Sequence, residues 1–127
     1  MTDAETFVHH YIDDFINGGN VALIDELFTP DVTFRDPVFP GGVVRGLDAL
    51  KQALPAAGAA LVGLRFVPEH ILEKGEMVGW HGSMQGTRNG RQVVIPLAEF
   101  YCLVDGKIAD AWVYLDMQAM AQQLGGA

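Results

Sequence analysis

The sequence predicts a single α+β domain over residues 1–127, in which helices cover one face of an antiparallel sheet. Apolar residues recur at helical spacing from the N-terminus to Leu54, whereas residues 65–115 alternate with a period of two. Two dipeptides typical of tight hairpin turns, Asn89-Gly90 and Asp105-Gly106, separate the later strands. Helices followed by hairpin-connected strands are typical of the α+β class.

Composition limits the classes of protein to which the chain can belong. Its 127 residues are 50% hydrophobic and 19% charged, which suits one globular core, and no apolar run is long enough for a membrane span. A net charge of −8 with scattered basic residues argues against a nucleic-acid surface. Without a signal-peptide pattern, the sequence predicts a cytoplasmic protein that binds neither nucleic acid nor membrane.

Cysteine count and motifs exclude several kinds of site. Cys102 is the only cysteine, so an internal disulfide and a cysteine-based zinc site are excluded. The sequence has no Gly-rich phosphate loop, no GxSxG and no HExxH. Neither a cofactor nor a metal is therefore predicted.

Apolar spacing predicts three helices in the N-terminal half. The first begins at Thr2, which is followed by a glutamate at capping-box distance, and ends at Gly18-Gly19. The second runs from a cap at Asn20 to Thr29-Pro30. The third covers Leu47–Leu54 and is interrupted or kinked by the next residue, a proline.

Four strands and a last helix are predicted in the C-terminal half. The strands cover residues 65–73, 77–87, 92–104 and 107–115, and the helix covers residues 117–124. Two-residue turns would place Glu99 between Trp80 and Trp112, with Ala98 beside His81. One sheet face would then carry Trp80, Leu97, Glu99, Tyr101, Trp112 and Tyr114. Because this aromatic face is large, it predicts a homodimer, and the opposite face of small residues around His81 is expected to border a cavity.

An acidic residue, Asp36, lies at the end of a predicted strand that begins at Val32. Pro37 ends regular pairing, and an apolar loop containing Val38 and Phe39 follows. A carboxyl group that loses water in such a place has a raised pKa, which suits a general base. The alternative is structural: Asp36 pairs with a neighbouring arginine or caps the turn.

Four other polar residues carry two interpretations each. Tyr11 lies on the buried stripe of the first helix. It is either a hydrogen-bond donor to a ligand or a packed core residue. His81 is a catalytic candidate or a core histidine. Glu99 interrupts an apolar run, so it is paired, functional or part of a subunit contact. Asp116 is most simply the N-cap of the last helix.

Several motifs resemble a known superfamily over nearly the whole chain. Two capped helices, a strand ending in Asp-Pro, a third helix and a meander resemble the nuclear transport factor 2-like superfamily. The closing run DGKIADAWVYLDMQAMAQQLG is similar to that of SnoaL-like polyketide cyclases. Tyr11, the NGG loop, DPV at Asp36–Val38 and VVIP at Val93–Pro96 resemble ketosteroid isomerase. The resemblance implies a cone-shaped α+β barrel, with a curved sheet wrapped around helices, and dimers formed through the sheet.

The resemblance also implies roles for individual residues. Asp36 matches the proton-shuttling base of ketosteroid isomerase, and Tyr11 matches its oxyanion-hole phenol. Ala98 stands where that enzyme has a protonated aspartate, and our hypothesis is that His81 replaces this donor. The acid and the histidine of the cyclases fall at Val113 and Glu99.

The sequence therefore predicts a cofactor-independent enzyme that transfers a proton on a small hydrophobic carbonyl compound. Its expected catalytic residues are Asp36, Tyr11 and His81. The expected substrate-binding residues are apolar and comprise Phe15, Phe34, Val38, Phe39, Leu54, Ala98, Phe100 and Val113. The alternatives are a non-catalytic module that binds a small ligand and a dimeric scaffold.

Overall fold

A six-stranded sheet forms the frame of the protein, which a computed structural model describes for residues 2–57 and 61–124. The strand order is β2-β1-β6-β5-β4-β3, and the sheet is curved and not closed. In the described part of the chain four α-helices accompany the sheet, and together they form the predicted α+β fold. Within the described residues, no helix has the length and apolar composition needed to cross a membrane.

The N-terminal helices largely follow the predicted pattern. Helix α1 (Asp3–His9) is capped by Thr2, whose hydroxyl oxygen accepts a hydrogen bond from the Glu5 N–H at 3.1 Å, and it continues as a π-helical segment, His10–Asn17. A 3₁₀ turn, Val21–Leu23, leads into the short helix α2, Ile24–Leu27.

The second helix is shorter than predicted because strand β1 (Phe28–Arg35) begins inside its expected range. Pro30 was expected near a helix end, and it lies instead in β1. The pairing of β1 with its neighbour shifts between Phe28 and Thr33. Since proline has no N–H to give a sheet, this irregular stretch is where a strand can accommodate it.

Strand β1 also corrects the expectation of a purely antiparallel sheet. A 3₁₀ turn, Pro40–Gly42, leads to β2 (Val43–Arg45), which pairs antiparallel with β1, whereas β6 pairs with β1 in parallel. The sheet is therefore mixed. Helix α3 (Leu47–Ala57) follows β2 and continues past Pro55.

The predicted meander is confirmed in the C-terminal half. Its elements are β3 (Val62–Lys74), β4 (Met77–Arg88), β5 (Arg91–Val104), β6 (Lys107–Leu115) and α4 (Met117–Leu124). Asn89 and Asp105 have positive φ angles of 54° and 52°, as expected for two-residue turns with glycine. Asp116 caps α4 as predicted, since its Oδ1 accepts a hydrogen bond from the Ala119 N–H at 2.9 Å.

The predicted register is right between β4 and β5 and wrong by one residue between β5 and β6. Glu99 lies opposite Trp80 as expected, but its partner on β6 is Val113 and not Trp112. The cause is a β-bulge, because Ala109 is an extra residue between the two ladder segments. The bulge places Trp112 and Val113 on the faces opposite to those predicted.

The assignment of the two sheet faces also needs correction. Trp80 and Tyr101 were expected at a subunit contact, but both are buried on the inner face, which packs against the helices. The outer face carries His81, Phe100 and Tyr114, all exposed. Alternation groups side chains by face but does not say which group the helices cover, and here the helices cover the face that carries Trp80 and Tyr101.

Candidate active site

An apolar pocket with a volume of about 90 Å³ lies between the inner face of the sheet and the helices. Its wall combines inward side chains of β3 to β6 with residues of α3 and α4, for example Leu54 and Leu124. Only three of its lining residues are polar or ionisable: Tyr11, Asp36 and Glu99. The described part of the chain therefore brings two carboxyl groups and one phenol together in an otherwise apolar space.

The predicted substrate-binding residues divide into three groups. Four of them line the pocket: Phe34, Val38, Leu54 and Val113. Two support it from behind, since Phe15 stacks on Tyr11 and Phe39 packs edge-on against Phe34. The last two, Ala98 and Phe100, alternate with the buried residues of β5 and lie on the outer face.

The loop after β1 positions Asp36 at the wall of the pocket. The Asp36 Oδ1 accepts a hydrogen bond from the Val38 N–H at 3.0 Å, and the Asp36 N–H donates to the Gly42 carbonyl at 3.1 Å. Burial raises the pKa of the Asp36 carboxyl above its usual 3.8, and the bond from Val38 offsets part of this effect. Asp36 therefore caps the turn, as the structural alternative expected, and it is also desolvated by burial.

Neither neighbouring arginine pairs with Asp36. The Arg35 side chain reaches the outer side of the sheet, where its Nη1 lies 3.2 Å from Asp110 Oδ1 and its guanidinium lies 4.6 Å from the centre of the Trp112 ring. Arg45 is exposed on β2. No arginine therefore offsets the desolvation of Asp36 within residues 2–57 and 61–124.

Tyr11 is buried beside the two carboxyl groups. Its ring packs edge-on against Tyr101, with centroids 5.2 Å apart, and its hydroxyl forms no hydrogen bond with any of the described residues. Burial raises the pKa of the Tyr11 phenol well above 10, and the charges of Glu99 and Asp36 raise it further. Tyr11 is therefore a neutral phenol whose hydroxyl has no hydrogen-bond partner among the described residues.

Glu99 is the ionisable group that the sequence singled out without assigning a role. It is 2% exposed, and the Tyr101 hydroxyl donates a hydrogen bond to its Oε1, while Trp80 Nε1 donates to Tyr101 at 2.9 Å. Burial raises the pKa of Glu99 to about 8, which the Tyr101 bond lowers in part and the Asp36 charge raises. At neutral pH Glu99 is therefore mostly protonated. The sequence feature that marked Glu99 was its position as an acidic residue within an apolar strand.

His81 does not face the pocket, and the expectation that it does is wrong. It alternates with the buried Trp80, so its side chain lies exposed on the outer face, where its Nε2 is 2.8 Å from His70 Nδ1. The small residues around it proved to belong to the outer side of the sheet. His81 therefore cannot supply the missing donor at Ala98.

Comparisons with known proteins agree with this fold. The SnoaL-like domain family matches residues 8–111, which is most of the chain. The chain belongs to the SnoaL-like family. No curated protein matches the sequence.

Solved structures with the same fold include several described as polyketide cyclases. A putative polyketide cyclase from Acidithiobacillus ferrooxidans superposes with a TM-score of 0.86 at 18% identity, covering 99% of this chain and 96% of its own. IdmH, a putative polyketide cyclase from Streptomyces antibioticus, gives 0.82 at 20% identity, covering 98% and 99%. TerC, co-crystallised with polyporic acid, gives 0.83 at 20% identity, covering 98% and 99%. At these identities the likeness establishes the fold alone.

The raised pKa of Glu99 predicts a specific pH dependence of stability. The folded state holds the Glu99 proton up to about pH 8, whereas the unfolded chain loses it near 4.5. The contribution of Glu99 to stability should therefore be complete below pH 4.5 and be lost as the pH rises to 8, by about 1.4 kcal/mol per pH unit for one proton. Urea unfolding of the wild type and Glu99→Gln between pH 5 and 8 measures this contribution, because the variant should lose the part of the slope that belongs to Glu99.

The exposed Glu73→Gln is the matched control for that experiment, since it makes the same Glu-to-Gln change outside the pocket. Its stability should fall with pH as the wild type's does. Parallel slopes in the wild type and Glu99→Gln would show that Glu99 is already ionised in the folded protein.

Proposed function

We propose that the protein is a cofactor-independent enzyme that transfers a proton on a small hydrophobic carbonyl compound. Its membership of the SnoaL-like family supports a small-molecule function of the cyclase or isomerase type. The observation that carries the proposal is the pair of carboxyl groups in one apolar pocket: Asp36 accepts a backbone hydrogen bond that favours its ionised form, whereas burial raises the pKa of Glu99 to about 8. Two acids whose pKa values differ in this way can act as base and acid together.

The proposed reaction begins when the Asp36 carboxylate removes a proton from the carbon next to the carbonyl. The electron pair of the broken C–H bond forms an enolate, whose oxygen carries the negative charge. Asp36 then returns the proton, either to the same carbon or to a conjugated one. A positioned base of this kind contributes about 10²- to 10⁴-fold to the rate.

The enolate oxygen needs hydrogen-bond donors, and the pocket offers two. Tyr11 has an unshared hydroxyl, and protonated Glu99 can donate from its carboxyl group. Fixed donors in a space without water stabilise developing charge more than water does. Glu99 thus takes the part of the second donor, which the sequence had led us to assign to His81, whereas Ala98 and His81 both lie on the outer face.

A non-catalytic ligand-binding module is the second candidate. It is favoured by the hydrogen bond from Val38 to Asp36, which gives that carboxyl group a structural use without any chemistry. In such a module the apolar wall would bind the ligand, and Asp36 would only close the turn. The two candidates differ in whether bound ketone exchanges its protons.

Replacing Asp36 by Asn distinguishes the enzyme from the binding module. Asn keeps an oxygen that can accept the Val38 hydrogen bond but cannot take a proton, so ligand affinity and melting temperature should stay nearly unchanged. Deuterium incorporation at the α-carbon of a hydrophobic ketone such as cyclohexanone, followed by NMR in D₂O, should fall by about 10²- to 10⁴-fold.

Asp31→Asn is the control, because it removes an exposed carboxyl group from β1, the strand that leads to Asp36. It should exchange at the wild-type rate. Equal exchange by wild type and Asp36→Asn, or no exchange above solvent by the wild type, would favour the binding module. A loss of a few kcal/mol in Asp36→Asn would show that its charge is structural.

We also propose that the protein is a homodimer that associates through the outer sheet face, a correction of the face first predicted. Phe100 is 42% exposed and Tyr114 is 59% exposed, and their rings contact each other with centroids 6.1 Å apart. Trp112 lies on the same face. An exposed aromatic patch on a sheet is suited to a self-complementary interface.

Tyr114→Glu should convert this dimer into a monomer, because it places a charge in the apolar patch. Sedimentation velocity measures the change. Val21→Glu, at an exposed position away from the sheet, is the control and should remain dimeric. A monomeric wild type would contradict the proposal.

A further inference from the structure

Three potential metal ligands meet on the outer side of the sheet, on the opposite face from the pocket. They are Glu69 and His70 of β3 and His81 of β4. Each offers one ligand atom, and these atoms lie within 4.8 Å of one another. All three side chains are exposed.

A β-bulge explains how neighbouring residues reach the same place. In a regular strand Glu69 and His70 would point to opposite faces. The β3–β4 register shifts between Pro68 and His70, so Glu69 is an extra residue without a partner on β4. A bulge of this kind redirects side chains, and here it lets the Glu69 carboxylate approach the two imidazoles.

The sequence supports this bulge with a glycine on the facing strand. Gly82 lies opposite Pro68, and a Cβ on Gly82 would lie 2.0 Å from the Val67 carbonyl oxygen. That distance is far inside van der Waals contact, so the close approach of the two strands requires glycine there. The convergence of the three ligands is therefore built into the backbone.

The two imidazoles are already close to a chelating geometry. His70 Nδ1 and His81 Nε2 are 2.8 Å apart, and the rings stack with centroids 4.9 Å apart. Two nitrogen ligands of one Zn²⁺ ion are separated by about 2.9 to 3.4 Å, given Zn–N bonds of about 2.0 to 2.1 Å. A rotation of the rings would therefore admit a metal ion in place of the contact between the two nitrogens.

We propose that Glu69, His70 and His81 bind a divalent transition-metal ion, with Zn²⁺ as the ion that this ligand set fits. Two imidazoles and one carboxylate are a known zinc ligand set, and water completes the coordination of an exposed ion. The ion would link β3 to β4 and stabilise the folded chain by binding it in preference to the unfolded one. The site is independent of the proposed chemistry, because it lies on the other face of the sheet.

The test is isothermal titration of untagged, metal-free protein with ZnCl₂. The wild type should bind one Zn²⁺ per chain with micromolar affinity, and Ca²⁺, which prefers oxygen ligands, should not compete. His81→Ala should lose at least tenfold in affinity. Glu69→Gln, an exposed and nearly isosteric change, should weaken binding by a similar factor while leaving the metal-free melting temperature unchanged.

His10→Ala is the matched control. His10 is also surrounded by carboxylates, with Nδ1 2.6 Å from Asp14 and Nε2 3.5 Å from Glu26, but it has no second histidine facing it in that cluster. This variant should bind Zn²⁺ as the wild type does. Wild-type affinity in both His81→Ala and Glu69→Gln, or loss of binding in His10→Ala, would overturn the site.

Discussion

The burial of one carboxyl group, that of Glu99, is the constraint on which the rest of the pocket depends. An ionised carboxylate in an apolar interior is costly, and a neutral hydrogen bond returns only about 0.5 to 1.5 kcal/mol. The chain from Trp80 to Tyr101 to Glu99 supplies such bonds but no positive charge. Protonating Glu99 therefore costs less free energy than burying it as an ion, and it leaves Glu99 as a neutral carboxylic acid.

The second carboxyl group, that of Asp36, differs from that of Glu99 because it lies at the end of a strand. Asp36 is only partly buried, and it accepts a backbone hydrogen bond that favours its ionised form. Glu99 has less water and lies near the negative charge of Asp36, which holds its proton more firmly. The inner sheet face and the loop after β1 thus give the two carboxyl groups different surroundings within one apolar space, and the neutral Tyr11 lies beside them.

Local sequence patterns predicted the helices and strands and two of the three polar side chains of the pocket. The predictions failed for features that depend on tertiary structure. Asp36 and Tyr11 were found from a strand end and a helical stripe, which are local features. The predicted face of His81 was wrong because an alternating pattern does not show which face of the sheet the helices will cover. The partner of Glu99 on β6 was wrong because the bulge at Ala109 leaves no mark in the hydrophobic pattern.

The most direct test of the two-carboxyl pocket is a titration of both groups by carboxyl ¹³C NMR, assigned with Asp36→Asn and Glu99→Gln. Glu99 should titrate near pH 8, and Asp36 should titrate above its usual 3.8. A phenol bound in the pocket should shift both curves, since its oxygen would contact the same groups. If both carboxyl groups titrated at ordinary values near 4, the pocket would hold no acid at neutral pH, and the proposed proton transfer would fail.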